Sequence, residues 1–157
     1  MKNRISGCIG KWMIIPLLAL FFLAGCSKNE DSTPAFQGRS KTYKLYNYST
    51  GSAVEAGTFM FSELENGGAS ATINLSSGYR LAGVKFKSSI TVADAQGVEL
   101  VYADLGDVDG TSGTGEKNPI VSSGTNAAIK YDEIIAKTGY TVKVMNGSNV
   151  QAKGTIQ

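Results

Sequence analysis

The chain has no histidine among its 157 residues, and it has only two cysteines, Cys8 and Cys26. Without an imidazole, neither a Ser-His-Asp nor a Cys-His arrangement can transfer the proton that nucleophilic catalysis requires. Zinc sites that contain histidine are excluded, and so few thiols cannot form a site of cysteines alone. What remains is carboxylate chemistry, and the acidic residues are scattered without a recognisable catalytic pair. The composition therefore favours a protein that is not an enzyme.

The chain also lacks a large net charge and a long apolar segment. Its formal charge is +2, and no basic stripe is present that could neutralise phosphates, so nucleic acid is not an expected partner. The apolar run Trp12–Leu23 is interrupted by Pro16 and is shorter than the roughly 20 residues of a transmembrane helix. Because it follows the basic residues Lys2, Arg4 and Lys11, it is typical of the apolar region of a signal peptide.

The next residues, Leu23-Ala24-Gly25-Cys26, resemble the lipobox of bacterial lipoproteins, in which small residues let the signal peptidase reach the backbone before the cysteine. The resemblance implies a lipoprotein signal peptide over residues 1–25. It also implies a diacylglycerol on the Cys26 thiol, with palmitate-type acyl chains, as the anchor to a membrane. Cleavage would remove Cys8, which leaves no pair of thiols for a disulfide in the mature chain.

Residues 26–41 are predicted to be a lipidated flexible tether, because they begin with a polar run that cannot bury apolar surface. Within this run, Lys28, Glu30 and Asp31 resemble the export signal of Bacteroidota-type lipoproteins. That resemblance implies display on the extracellular side of the outer membrane. Asp31-Ser32-Thr33 also resembles the O-glycosylation pattern of the same group, which makes Ser32 a candidate acceptor. An ordinary charged linker is the alternative for both patterns.

From Thr42 onward, short runs alternate between apolar and polar residues with a period of two, and Gly, Asn and Ser separate them. This pattern predicts an all-β domain over residues 42–157, built as an antiparallel sandwich or barrel. Of the two we expect the β-sandwich, of the Greek-key, immunoglobulin-like or superoxide-dismutase-like type. A tight hairpin is expected at Asn66-Gly67-Gly68, and one short helix is expected from Asp132 to Gly139. The predicted strands are 42–48, 57–64, 69–75, 81–87, 97–105, 126–132, 140–146 and 150–157.

Most of this region resembles the CHRD domain, which is named for chordin and also occurs in microbial secreted proteins. The resemblance is carried by the order and spacing of Ala56–Gly78, Asp104–Gly113, Ala127–Val144 and Val150–Gln157. It covers about Thr42 to Gln157 and implies a β-sandwich that serves as a binding or interaction module.

The CHRD family usually carries a His-Ile-His element on a central strand and a further histidine after a Gly-Tyr pair. The resemblance places the first element within Leu81–Lys87 and the second near Val144, where this chain has lysines and apolar residues. Neither Lys85 nor Val144 offers a lone pair to copper or zinc at neutral pH. The metal site that the resemblance implies is therefore missing from this sequence.

The segment Gly106–Lys117, "GDVDGTSGTGEK", is the most motif-like part of the chain. It does not fit a phosphate-binding loop, because Glu116 stands where the lysine of that motif is required. A calcium site outside the EF-hand pattern remains open, since oxygen ligands are available on Asp104, Asp107, Asp109 and Glu116. The alternative is a polar connection between strands in which Asp and Gly serve the geometry of a turn.

Two further patterns leave a binding role open. Tyr46 and Tyr48 are expected on one face of their strand and Tyr43 on the other, so they either form an aromatic platform for a sugar or peptide or pack at the core and its rim. Lys85 and Lys87 either bind an anion or protect a strand edge from aggregation.

The sequence therefore predicts a lipid-anchored, cell-surface β-sandwich that acts as a non-catalytic binding module. Its contact surface is expected on the loops at the strand ends, and its partner is an extracellular protein or glycan. The alternatives are a calcium-stabilised structural protein of the envelope and a glycan hydrolase that uses carboxylates.

Overall fold

The computed structural model of the protein describes residues 35–157, so the predictions for residues 1–25, Cys26, Lys28, Glu30, Asp31 and Ser32 lie outside the described residues. Residues 35–157 form one compact unit. Its strands are β1 (Ser40–Asn47), β2 (Val54–Glu63), β3 (Ala69–Leu75), β4 (Lys85–Ala93), β5 (Glu99–Asp109), β6 (Thr114–Lys117), β7 (Thr141–Asn146) and β8 (Asn149–Thr155). A 3-10 turn (Ser77–Tyr79) and the short helix α1 (Tyr131–Ile135) complete the regular structure of this part of the chain.

The predicted β-sandwich is wrong, because the strands form one closed antiparallel barrel in the order β1-β2-β3-β6-β5-β4-β7-β8. A sandwich has two separate sheets with edges, whereas here β8 returns to pair with β1. The short strand β6 joins β3 to β5 and so completes the other side of the wall. Register shifts between β1 and β2, between β4 and β5, and between β7 and β8 mark bulges, whose extra residues lie on β2, β5 and β8. Bulges bend strands and help a sheet to close.

The all-β prediction is confirmed, and the strand boundaries show where local patterns mislead. The predicted hairpin is present, with Gly67 at a φ of 73° and the Asn66 Oδ1 atom accepting a bond from the Gly68 backbone N–H at 2.8 Å. The predicted strand 81–87 overlaps β4 only at its end, since β4 runs from Lys85 to Ala93. The segment 126–132 is not a strand, because it makes only isolated bridges before it enters α1.

The barrel interior is filled by side chains from alternate strand positions. The ring of Tyr43 stacks on Phe59 with centroids 4.9 Å apart, and Phe59 meets Phe61 edge to face at 5.5 Å. Apolar burial of this kind is the main term that stabilises a domain of this size. The largest fully buried side chains are Phe59, Phe61, Phe86, Leu45, Ile73, Leu75, Ile90, Leu105, Ile120, Ile134, Ile156 and Val108.

Because each strand is antiparallel to both neighbours, β1, β3, β5 and β7 all begin at the same end of the barrel. We call this end the entry rim, since the chain passes there from Ala35 into β1. Helix α1 lies at the entry rim, where the Tyr131 backbone N–H donates to the Gly67 carbonyl at 3.2 Å. The opposite end is the far rim. Within residues 35–157 we find no helix with the length and apolarity needed to cross a bilayer.

Arg39 fixes the point at which the chain enters the barrel. Its guanidinium binds both carboxylate oxygens of Glu63 at 2.8 Å, reaches Asp132 at the start of α1, and lies 4.9 Å from the centre of the Tyr131 ring. The side-chain hydrogen bond from Arg39 lowers the pKa of Glu63 to about 2. A single side chain therefore joins β1, β2 and α1 at the entry rim.

Candidate functional site

Like the contact between β5 and β6, which has only the pair Asp109–Thr114, the contact between β1 and β8 has an incomplete backbone ladder. The two strands have a single registered pair, Tyr46 with Lys153, whereas β4 and β5 are paired from end to end. Side chains replace the missing ladder on either side of that pair. The Lys41 Nζ atom donates to the Gln157 carbonyl at 2.5 Å, and the Asn47 Nδ2 atom donates to the Gln151 carbonyl at 2.7 Å.

A groove of about 480 Å³ lies along this contact, and we call it the seam groove. Gly154 allows the two strands to approach here, because a Cβ atom at that position would lie 2.1 Å from the Lys44 carbonyl oxygen. A second cleft of about 310 Å³ adjoins the groove and shares Thr141 and Lys153 with it. The seam groove is lined by Tyr43, Lys44, Tyr46, Tyr48, Thr141, Lys153, Gly154, Thr155 and Gln157.

Tyrosines dominate the outer face of this groove. The prediction that Tyr43 points away from Tyr46 and Tyr48 is confirmed, since Tyr43 is buried in the core while Tyr46 is half-buried and Tyr48 is 47% exposed. The ammonium of Lys153 lies 4.7 Å from the centre of the Tyr48 ring, a cation–π contact that orients both side chains. The hydroxyl of Tyr43 is buried without a hydrogen-bond partner.

The charges around the groove are partly compensated. Lys44 is paired with Glu55 at 2.6 Å, and Lys143 is paired with Glu99 at 2.5 Å. The hydrogen bond from Lys143, followed by one from Thr91, lowers the pKa of Glu99, which stays ionised at neutral pH. Within residues 35–157, no carboxylate lies within ion-pair distance of Lys153, and its charge acts on Glu99 from further away, as the last of the interactions that lower the pKa of Glu99.

The segment Gly106–Lys117 is a β-hairpin, because it comprises the end of β5, a tight turn and the whole of β6. The turn is closed by Asp109, whose Oδ1 atom accepts bonds from the backbone N–H groups of Thr111 at 2.8 Å and Ser112 at 2.9 Å. These two bonds, that from Ser112 first, lower the pKa of Asp109. Gly113 has a φ of 76° in the same turn. The polar turn chemistry therefore accounts for most of the motif-like appearance of this segment.

Three of the four calcium candidates line one cleft of about 330 Å³ on the outer face, which we call the acidic cleft: Asp107, Asp109 and Glu116. Asp104 is not part of it, and its Oδ1 atom accepts a bond from the Gly106 backbone N–H at 2.8 Å. Among the described residues, no three acidic or cysteine side chains come close enough together to hold a metal ion.

Lysines on β4 neutralise the acidic cleft. Lys87 binds the Asp107 carboxylate at 2.6 Å, and this hydrogen bond lowers the pKa of Asp107. Lys85 lines the same cleft. A glycoside hydrolase needs one carboxyl group that stays protonated, with a raised pKa, beside one that is ionised. Asp107 and Asp109 are both shifted in the opposite direction, so this pair does not provide the general acid.

The positions that the CHRD resemblance assigns to histidines do not form one site. Val144 is fully buried in the barrel interior, whereas Lys85 and Lys87 are exposed on the outer face. The two strands are neighbours, since Ser88 pairs with Val144. Because their side chains point to opposite sides of the wall, replacing them with histidines would not create a shared metal centre.

Sequence reasoning identified the tyrosines of the seam groove but missed the residues on the other side of it. Thr141, Lys153 and Thr155 belong to strands far from Tyr46 in sequence, and only the closure of the barrel brings them beside it. Their own segments carry no motif. The one available signal was the alternation of β8, which correctly places Lys153 and Thr155 on its outer face.

No protein-family model, no curated protein and no solved structure matches this chain.

Proposed function

We propose that the protein is a lipid-anchored binding module of the cell surface, which holds an extracellular glycan in the seam groove without catalysis. The observation that carries this proposal is the arrangement of Tyr46, Tyr48 and Lys153 on the outer face of a rigid barrel. Because the interior is filled by core side chains, a ligand has to bind on the outside or at the rims. The seam groove is the largest of the clefts described on that outer surface.

A saccharide fits the chemistry of this groove. Tyrosine rings offer a flat apolar face and a polar edge, which matches the mixed apolar and hydroxyl surface of a sugar ring. Hydroxyl and amide groups on Thr141, Thr155 and Gln157 supply hydrogen-bond partners around the rings. The groove volume of about 480 Å³ lies within the range of typical ligand sites. Lys153, which has no ion-pair partner among the described residues, favours a glycan that carries carboxylates.

Binding can be tested with an array of neutral and carboxylate-bearing glycans. We expect Tyr46→Ala and Tyr48→Ala to weaken binding severalfold each, because stacking on an aromatic ring contributes about 0.5–1.5 kcal/mol. Leu81→Ala is a suitable control, since Leu81 is exposed but does not line the groove. Glycan binding that survives both tyrosine substitutions would refute the groove as the site. Retention of a protein instead, through the loops of the far rim, would support the alternative partner class.

The membrane anchor is the second part of the proposal, and it rests on the sequence around Cys26. Metabolic labelling with palmitate should mark the protein, and Cys26→Ser should abolish both the label and its recovery with membranes. The other cysteine provides a matched control, because Cys8→Ser should leave the label unchanged. Extracellular display is tested by protease treatment of intact cells, and exchange of Lys28, Glu30 and Asp31 for alanine should retain the protein inside. A label that persists in Cys26→Ser would refute the anchor.

The CHRD resemblance stays a prediction about ancestry. A calcium-stabilised envelope protein and a carboxylate hydrolase also stay predictions. Neither is favoured by the acidic cleft, where Lys87 pairs with Asp107 and the turn amides bind Asp109.

A further inference from the structure

The hairpin between β4 and β5 projects beyond the barrel at the entry rim. Pairing of β4 with β7 stops at Thr91, whereas β4 and β5 stay paired as far as Ala93 and Glu99. On its other side, β5 pairs with β6 only at Asp109 and makes one isolated bridge, from Ala103 to Ser122. The end of this hairpin therefore has no neighbouring strand on either side within the described residues.

The tip of this hairpin is apolar. Val98, Leu100 and Val101 are 56%, 51% and 54% exposed, the highest values among the large hydrophobic side chains of the described chain. Leu100 and Val101 are consecutive in a strand and so point to opposite faces, yet both are in solvent. The turn itself is well formed, since the Asp94 Oδ1 atom accepts bonds from the backbone N–H groups of Gln96 at 2.9 Å and Val98 at 2.7 Å. A rigid ribbon thus holds three aliphatic side chains away from the core.

A second exposed hydrophobic side chain lies on the path into β1. Phe36 is 49% exposed and precedes the strand at the entry rim. In the strand order, β1 and β5 are separated by three strands on either side. The start of β1, which Phe36 precedes, and the hairpin tip therefore lie on opposite sides of one rim.

We propose that this hairpin docks on the surface of the lipid bilayer, a proposal that rests on the proposed anchor at Cys26. An extended chain spans at most about 3.5 Å per residue, so a lipid on Cys26 holds Ala35 within roughly 30 Å of the bilayer. The entry rim is then the end of the barrel nearest the lipid. Exposed apolar patches on otherwise polar surfaces mark sites of protein or membrane contact. A shallow contact places the side chains of Val98, Leu100 and Val101 at the headgroup boundary and leaves the unpaired backbone hydrated.

A second copy of the chain is a less suitable occupant of the hairpin. Three half-exposed aliphatic side chains fall well short of the roughly 800 Å² per partner that a stable protein interface buries. A lipid surface needs no complementary shape, and the anchor would supply most of the affinity. With the entry rim on the bilayer, the far rim and the part of the seam groove nearest to it face away from the membrane, where a glycan can reach them.

The proposal can be tested with fluorophores on single cysteines, because processing leaves the mature lipoprotein with no free thiol. Val101→Cys carries an environment-sensitive nitrobenzoxadiazole probe, and Val54→Cys carries the same probe at the far rim as the matched control, since Val54 is also exposed. The lipidated protein is reconstituted into phosphatidylethanolamine and phosphatidylglycerol vesicles. We expect emission from position 101 to rise severalfold and to be quenched by nitroxide-bearing lipids, with no change at position 54. Val98→Cys repeats the test where the first variant fails to fold.

Equal emission at the two positions would overturn the proposal. A probe at position 101 that is already shielded from water in detergent, and more so at higher protein concentration, would also overturn it. In that case a second copy of the chain covers the hairpin. Flotation of the vesicles distinguishes failure of the docking from failure of the lipid anchor. Protein that floats with the vesicles but gives no signal at position 101 is anchored to the bilayer, and its hairpin does not dock. Protein that fails to float refutes the anchor, and the docking proposal fails with it.

Discussion

Two contacts in the barrel wall are built in different ways. Between β4 and β5 the backbone ladder is continuous, from the pair Lys85–Asp109 to the pair Ala93–Glu99. Between β1 and β8 one registered pair is supplemented by the side chains of Lys41 and Asn47. The incomplete ladder leaves open a groove lined with tyrosines, whereas the continuous ladder carries Lys85, Asp107 and Asp109 of the acidic cleft on its outer face. The candidate binding site therefore lies at a contact where side chains supplement an incomplete backbone ladder.

The largest effect is expected from Gly154→Ala, which fills the close approach between β8 and β1. The new Cβ atom would lie 2.1 Å from the Lys44 carbonyl oxygen and 2.8 Å from the Phe59 ring, so backbone has to move. Overpacking of this kind costs about 1–3 kcal/mol, which urea unfolding can measure. Gly78→Ala is the control, because nothing lies within 4 Å of its Cβ position and we expect almost no change. Equal stabilities for the two variants would contradict a tightly packed seam.

Asn47→Ala should have the next largest effect, since Asn47 is buried and holds the seam at the far rim. Its loss leaves the Gln151 carbonyl without its donor and removes the bond from the Ser49 backbone N–H to the Asn47 Oδ1 atom at 2.9 Å. A buried group left without a partner costs about 1–3 kcal/mol. Asn149→Ala, on the exposed start of β8, is the matched control. Thermal unfolding of both variants measures the difference, and a similar midpoint for both would refute the role of Asn47.

The contact between Arg39 and Glu63, at the entry to β1, can be tested through the pH dependence of stability. Arg39 holds the pKa of Glu63 at about 2 in the folded protein, while the unfolded chain has an ordinary value near 4.3. A lowered pKa contributes stability that is present above the ordinary value and is lost as the pH falls toward 2. We expect the urea midpoint of the parent to decline between about pH 5 and pH 2. Glu63→Gln should decline less steeply, and parallel curves for the two proteins would show that the Arg39 contact does not contribute.

The smallest effect is expected at the contact between β4 and β5, from calcium. After treatment with EDTA, added calcium should leave the unfolding temperature unchanged, because Asp107 already binds Lys87 and Asp109 already binds the turn amides. Saturation of a true site at 100 times its dissociation constant would add about 2.7 kcal/mol. A shift of several degrees that disappears in Asp109→Asn would make the acidic cleft a calcium site and remove the contrast between the two contacts.

The sequence predicts the structure correctly where the residues of a single segment decide it. The Asn66-Gly67 hairpin follows from residues that accept the backbone geometry of tight turns, and β3 occupies the predicted residues 69–75. Helix α1 forms close to its predicted place and is shorter, ending at Ile135. Strand β6 was missed because Thr114–Lys117 has no apolar alternation, and its position depends on the ladder that β3 offers it.

Three features follow from local sequence: the alternation that makes this domain all-β, the placement of Tyr46 and Tyr48 on the face of β1 opposite to Tyr43, and the turn chemistry of Asp109. Each of these follows from neighbouring residues on one strand or in one turn. Only the tertiary structure decided that the sheet closes into a barrel, that Lys153 stands over Tyr48, and that the β4–β5 hairpin shares a rim with the start of β1. A period of two is the same in an open sheet and a closed one, because it records which face a side chain takes and not which strand lies beside it.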